Sequence, residues 1–163
     1  MIICGADPGR KGALVALDTD SSYCNHYKLT YDKAKELEID PLEWWLACVK
    51  PDLILMEKVH GRGGWGANQI FSFGCAFGEL RTVLKSTGIS RRMVSPQSWQ
   101  ALVWAGVAAS GNPKEKTQAA IQTMYPGVGK LHEGVMDAFA MAWYGVHKYG
   151  KSSRLHWNFK NLR

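Results

Sequence analysis

The sequence predicts an α/β domain, and three observations carry that prediction. Two short apolar runs, Ile2 to Ala6 and Ala13 to Leu17, flank a Gly/Pro-rich turn and read as a β-hairpin. Pro51-Asp-Leu-Ile-Leu-Met-Glu57 places four apolar residues in a row, the mark of a strand covered on both faces as in parallel sheets. Between and after these runs stand helical patterns, the longest at Asn68 to Lys85 and His132 to Lys148.

Taken in order, the hairpin places Asp7 where its first strand stops. Pro8 biases that residue to extended backbone, and Gly9 and Gly12 let the chain turn back. Asp-Pro-Gly is also an ordinary turn tripeptide. Tyr23 to Thr30 reads as a third strand, and Tyr31 to Leu37 fits no single pattern. Pro41 to Val49 reads as a short helix with Pro41 at its first position. Glu57 then ends an apolar strand with a carboxylate, as Asp7 does, and this coincidence points to a site.

His60-Gly-Arg62-Gly-Gly-Trp65-Gly is a basic, glycine-rich loop with an aromatic tip, suited to stacking on bases or to folding back on the surface. Trp44, Trp45, Trp99, Trp104 and Trp143 read as core or half-buried. In the Asn68 to Lys85 helix, Ile70, Phe73, Phe77, Leu80 and Leu84 form an apolar stripe, while Phe71, Gly74 and Gly78 lie off it. Such a helix packs on its sheet and either offers its second apolar face to another subunit or buries it within its own. Ile89 to Val94 reads as an edge strand. Ser95 caps a helix with Pro96 at its first position, and a loop runs from Gly106 to Gly111. Asn112 caps the next helix, with Glu115 three residues on. That helix carries Lys114 and Lys116 in its first turn, against its dipole.

In the last helix Val135, Phe139, Ala142 and Val146 face the core. Glu133 and Asp137 stand four apart on one face, where like charges repel unless a cation lies between them; two unrelated acids near a helix start are the plainer reading. Four carboxylates thus sit at element ends. Without His or Cys ligand spacing, they suit Mg²⁺ or Mn²⁺ rather than zinc. Two such ions about 4 Å apart can clamp the attacking water and leaving oxygen of a phosphodiester.

Composition bounds the rest. At 163 residues the chain fits one domain over 1–150 with a basic tail over 151–163. Net charge is +6, and Lys148 to Arg163 supplies five positive charges and no acid, so +1 remains without it. That balance fits a polyanion partner or a solvated end. No apolar run is long enough to cross a membrane, so no membrane partner is expected. Cys4, Cys24, Cys48 and Cys75 show no CxxC pair and read as reduced core thiols of a cytoplasmic protein, as does the lack of a secretory leader. No Walker or dinucleotide fingerprint is present, and no nucleotide cofactor is expected. The hairpin superficially resembles that of sugar-kinase-like ATPases, but one short domain leaves no room for their second lobe.

Five motifs together resemble the RuvC-type Holliday-junction resolvases, most closely the phage-encoded branch. They are Gly5-Ala-Asp7-Pro-Gly, Met56-Glu57-Lys-Val followed by Phe71-Ser-Phe-Gly, Val94-Ser-Pro-Gln-Ser-Trp99, Pro113-Lys-Glu, and His132-Glu-Gly-Val-Met-Asp137-Ala. They fall in order across residues 2 to 145. The resemblance implies an RNase H-like fold, a five-stranded mixed sheet flanked by helices on both faces. It also implies a homodimer that makes paired nicks in four-way DNA with Mg²⁺, leaving 5′-phosphate and 3′-hydroxyl ends, in the host cytoplasm if phage-encoded. Asp7, Glu57, Glu133 and Asp137 would hold the metal, and Lys114 or Lys116 would approach the scissile phosphate. His60, Arg62 and Trp65 would lie in the loop at the junction crossover, and the Asn68 helix would join the dimer contact. The bacterial pattern has its last two acids three apart, but Gly134 stands three before Asp137, so Glu133 would serve from four before with His132 assisting. A non-catalytic structure-selective DNA-binding module, or an RNase H-like nuclease for forks or flaps, are the alternatives.

Overall fold

The computed structural model describes residues 1–59, 64–107 and 111–150. Its centre is a sheet of β1 (Ile2–Asp7), β2 (Ala13–Asp18), β3 (Cys24–Lys28), β4 (Leu53–Glu57) and β5 (Ser90–Val94), in the order β3-β2-β1-β4-β5. The first three strands form an antiparallel meander. β4 joins β1 in parallel, and β5 joins β4 in parallel, each after a helical crossover. Those crossovers are α1 (Ile39–Val49) and α2 (Ala67–Ser86); α3 (Pro96–Val103), α4 (Pro113–Met124) and α5 (Glu133–Tyr149) follow β5.

The two-residue period of a strand sorts the side chains between two cores. Ile3, Val15, Leu17, Leu53 and Leu55 pack with α3, α4 and α5, while Cys4, Ala6, Leu14, Ile54 and Met56 pack with α1 and α2. Asp7 and Glu57 are odd-numbered like the first set, so alternation turns them to the α5 face.

Helix α5 lies almost on the backbone of β1. A Cβ added to Gly5 would stand 2.1 Å from the Ala138 carbonyl oxygen and 2.5 Å from the Ala142 nitrogen. One added to Gly145 would meet Leu55 and Ile3 at 2.5 and 2.7 Å. Small residues on both partners therefore set the separation, and any larger one would overpack it.

Several elements depart from the sequence reading. Helix α1 begins two residues before Pro41, which is thus its third residue. The first four N–H groups of a helix have no partner inside it, so the missing donor costs nothing there. In α2 the buried residues are Ala76, Leu80, Val83 and Leu84, whereas Ile70 is exposed. The helix runs past the edge of the core at its start, so the expected stripe is fully buried only at Leu80 and Leu84, with Phe73 and Phe77 half-buried. Trp44 is 70% exposed on the outer face of α1, and its neighbour Trp45 occupies the core instead. Cys4 and Cys24 are core thiols as expected, but Cys48 is exposed and Cys75 half-buried. Tyr31 and Leu37 form an isolated antiparallel bridge. The basic tail, His60 and Arg62 lie outside the described residues.

Candidate active site

The parallel register of β1 and β4 sets Ala6 opposite Met56, which brings Asp7 and Glu57 to neighbouring strand ends. Asp137 directly precedes Ala138, the residue of α5 pressed on Gly5. Each acid is therefore positioned by backbone: two by strand register and one by a helix that cannot slide. The three line one cavity of about 440 Å³ together with Lys114, Trp65 and Phe73.

Glu57 is held by a residue that the sequence reading gave as core or half-buried and assigned no role in the site. The Trp99 indole Nε1 donates to Glu57 Oε1 at 3.1 Å, and Trp99 itself is 2% exposed. It is carried there by α3, whose start is fixed by Ser95 accepting from the Ser98 N–H and by Pro96 at the first position. The Ser-Pro-Gln-Ser-Trp99 motif was the available signal.

A second unforeseen support lies behind Asp7. Arg10, in the β1–β2 turn, donates from Nε to Ser72 Oγ on α2 at 3.2 Å and from Nη1 to the Lys35 carbonyl. Its guanidinium lies 4.9 Å from the centre of the Tyr31 ring, and the Tyr31 hydroxyl donates to the Gly9 carbonyl at 3.0 Å. Burial, with Glu79 adding to it, pushes that phenol up to about 12, so it remains a donor at neutral pH. Gly9, at φ 133°, and the Gly12 N–H bonded to its carbonyl complete the turn.

The remaining expected site residues divide. Lys114 lies in the cavity wall, at the N-terminus of α4, where Asn112 accepts from the Lys114 and Glu115 N–H groups at 3.0 Å each. Lys116 instead stacks over Trp104, its Nζ 5.4 Å from the ring centre, and does not line that cavity. Glu133 lines an adjoining cavity of about 380 Å³ and pairs with Lys114 through Oε2. The hydrogen bond from Lys114, then its charge, holds the Glu133 carboxyl below the usual carboxylate range. His132 is the N-cap residue of α5 and makes no side-chain capping bond. A side chain at position 134 would force α5 off the β1–β2 turn, because a Cβ there would sit 2.0 Å from the Lys11 carbonyl oxygen. This is the physical reason that no acid stands three before Asp137.

Trp65 is half-buried and folds back edge-on against Phe73, with ring centres 5.3 Å apart and planes at 78°. It nevertheless faces the carboxylates across the cavity.

Among the described residues, no three His, Cys, Asp or Glu side chains form a ready-made metal cluster. The acids share a wall rather than a closed cage. Their chemistry fits a hard divalent cation all the same, since the donors are carboxylate oxygens with no imidazole or thiolate among them.

No protein-family model and no curated protein sequence matches the chain. Solved structures do. Thermus thermophilus RuvC is similar at 17% identity and a TM-score of 0.62, over 90% of this chain and 96% of that one. T. thermophilus RuvC in complex with a Holliday junction substrate is similar at 14% identity and a TM-score of 0.64, over 92% and 97%. The yeast mitochondrial Holliday junction resolvase Ydc2 is similar at 14% identity and a TM-score of 0.52, over 86% and 75%. The chain therefore carries the RNase H-like α/β fold of the RuvC-type Holliday junction resolvases.

Proposed function

We propose that the protein is a divalent-metal-dependent endonuclease that resolves four-way and related branched DNA by paired nicks. One observation carries this reading. Asp7, Glu57 and Asp137, from three separate elements, line a single cavity beside Lys114 and the Trp65–Phe73 pair, on a resolvase fold. Asp7, Glu57 and Asp137 are the residues that would hold Mg²⁺ or Mn²⁺. Such an ion supplies Lewis-acid activation of water and neutralises charge at the phosphodiester.

The chain's own groups do the rest. Trp99 fixes the Glu57 carboxylate, and the Arg10 brace fixes the turn that carries Asp7. Lys114 supplies a cation to the phosphate, an electrostatic contribution made in a partly enclosed site. Trp65 offers an aromatic surface to an unstacked base. Lys116, engaged with Trp104, acts at most from the rim.

Paired nicks require two sites, and the reading includes a homodimer. Its support is the first half of α2, where Phe71 is 75% and Ile70 43% exposed. A Cβ added to Gly74 or Gly78 would find nothing within 4 Å. That open, partly apolar face fits a second copy of the chain.

The test is cutting of a labelled four-way junction against linear duplex, with and without Mg²⁺. Symmetric, Mg²⁺-dependent nicks in the junction, abolished by Asp7→Asn, are the expected result. Equal cutting of both substrates would refute branch selectivity. Junction binding without any metal-dependent cutting would establish the DNA-binding alternative instead.

A further inference from the structure

Lys114 stands in the wall between two cavities. On one side are Asp7, Glu57 and Asp137; on the other is Glu133, with Gln118 and Lys130. Its ammonium is bonded to Glu133. Both partners are 53% exposed, so the pair is solvated and cheap to open.

The backbone keeps Glu133 on its own side. It is the first residue of α5, and the next residue, Gly134, is pressed against the β1–β2 turn at Lys11 and Gly12. One turn on, the same helix is pressed against Gly5. With both contacts made backbone to backbone, α5 has no freedom to roll and carry Glu133 towards the strand ends. The start of α4 is equally fixed, by Asn112 on the Lys114 and Glu115 N–H groups. The backbones being fixed, what can move is the two half-exposed side chains, of which the four-carbon stem of Lys114 has the longer reach.

A lysine lining a cavity with three carboxylates has an obvious alternative, which is to pair with them and compete with a cation for their oxygens. The observed pair with Glu133 prevents this. We infer that Glu133 is an exchangeable counter-charge for Lys114 rather than a metal ligand. It holds the Lys114 ammonium on the Glu133 side of the shared wall until a DNA phosphate, a stronger and better-placed acceptor, takes it over. Glu133 is then a positioning residue that acts through Lys114. This rests on the nuclease reading above.

The test separates the two roles by measuring DNA and metal apart from turnover. Four-way junction binding is measured in Ca²⁺, which replaces Mg²⁺ so that binding is read without cutting. Compared are wild type, Glu133→Gln, Lys114→Ala and the double variant. Mn²⁺ affinity of the DNA-free protein is measured by calorimetry. Releasing a half-exposed ion pair should tighten junction binding by about twofold to fivefold in Glu133→Gln. The gain should vanish when Lys114 is already alanine, while Mn²⁺ affinity stays within about twofold of wild type. Unchanged junction binding, an equal gain in both backgrounds, or Mn²⁺ binding weakened by more than that each overturns the inference. Wild type that fails to prefer the junction over duplex would instead overturn the functional reading itself, so the two failures are distinct.

Discussion

Trp99 fills the core between the sheet and α3 with its rings and spends its single polar atom on Glu57. A buried indole N–H needs a partner, and here the partner is a carboxylate of the candidate site, so packing and chemistry share one residue. Replacing it by phenylalanine keeps most of the volume and removes the donor. Trp99→Phe should lower the unfolding free energy by about 1.5–3 kcal/mol in urea titration, the range for a hydrogen bond to a charged group. It should also raise the Mg²⁺ concentration needed for half-maximal cutting by about tenfold or more, as loss of an outer hydrogen bond to a ligating group does. A stability loss with an unchanged Mg²⁺ requirement would make Trp99 a core residue and nothing else. Lys114 and Lys116 make a contrast at the same scale. They lie two apart on one helix turn, yet one lines the carboxylate cavity and the other covers Trp104. Spacing alone could not divide those roles, because both are first-turn lysines and only the position of Trp104 in space separates them.

Among the elements, α5 decides where the site can be. Its seat on Gly5 and Gly134 fixes Asp137 against the strand ends. Gly134→Ala should therefore cost about 1–3 kcal/mol by overpacking, and cutting should fall with it because α5 must move. Gly74→Ala, in an open stretch of α2, should instead stabilise the monomer by about 0.5–1 kcal/mol through helix propensity. Thermal or urea unfolding of the two variants compares them directly, and a loss at Gly74 matching that at Gly134 would mean the α2 face is already covered. The hairpin, the both-sides-covered β4, the two proline-capped helices and the core face of α5 were legible in the sequence. Each depends on a local pattern of period, cap or turn. What was not legible depends on tertiary contact. Trp44 and Trp45 are adjacent and chemically identical, and only the roll of α1 puts the second inside. Ile70 continues an apolar stripe whose partner sheet has already ended. For the site, Asp7, Glu57 and Asp137 could be paired from their places at element ends, but Glu133 could not be separated from them. Residues four apart share a helix face, and the cavity wall that divides that face belongs to α4.

For the whole molecule, two parallel strands added to an antiparallel meander bring separated acids to one end of the sheet. The even-numbered residues of β1, β2 and β4 build the opposite core with α1 and α2. Fold and chemistry thus come from one alternation, in which Asp7 and Glu57 continue the face that holds Ile3 and Leu55. The net charge of +6 suits a polyanionic substrate, and one cavity gathers a cation, an aromatic pair and three acids. The claim on which all this depends is that these three acids hold divalent ions. Crystals soaked in Mn²⁺ and measured at the manganese absorption edge test it most directly. Anomalous density is expected among the carboxylates of Asp7, Glu57 and Asp137, and its loss in Asp7→Asn. Manganese bound elsewhere, with those three side chains contacting no ion, would contradict that claim.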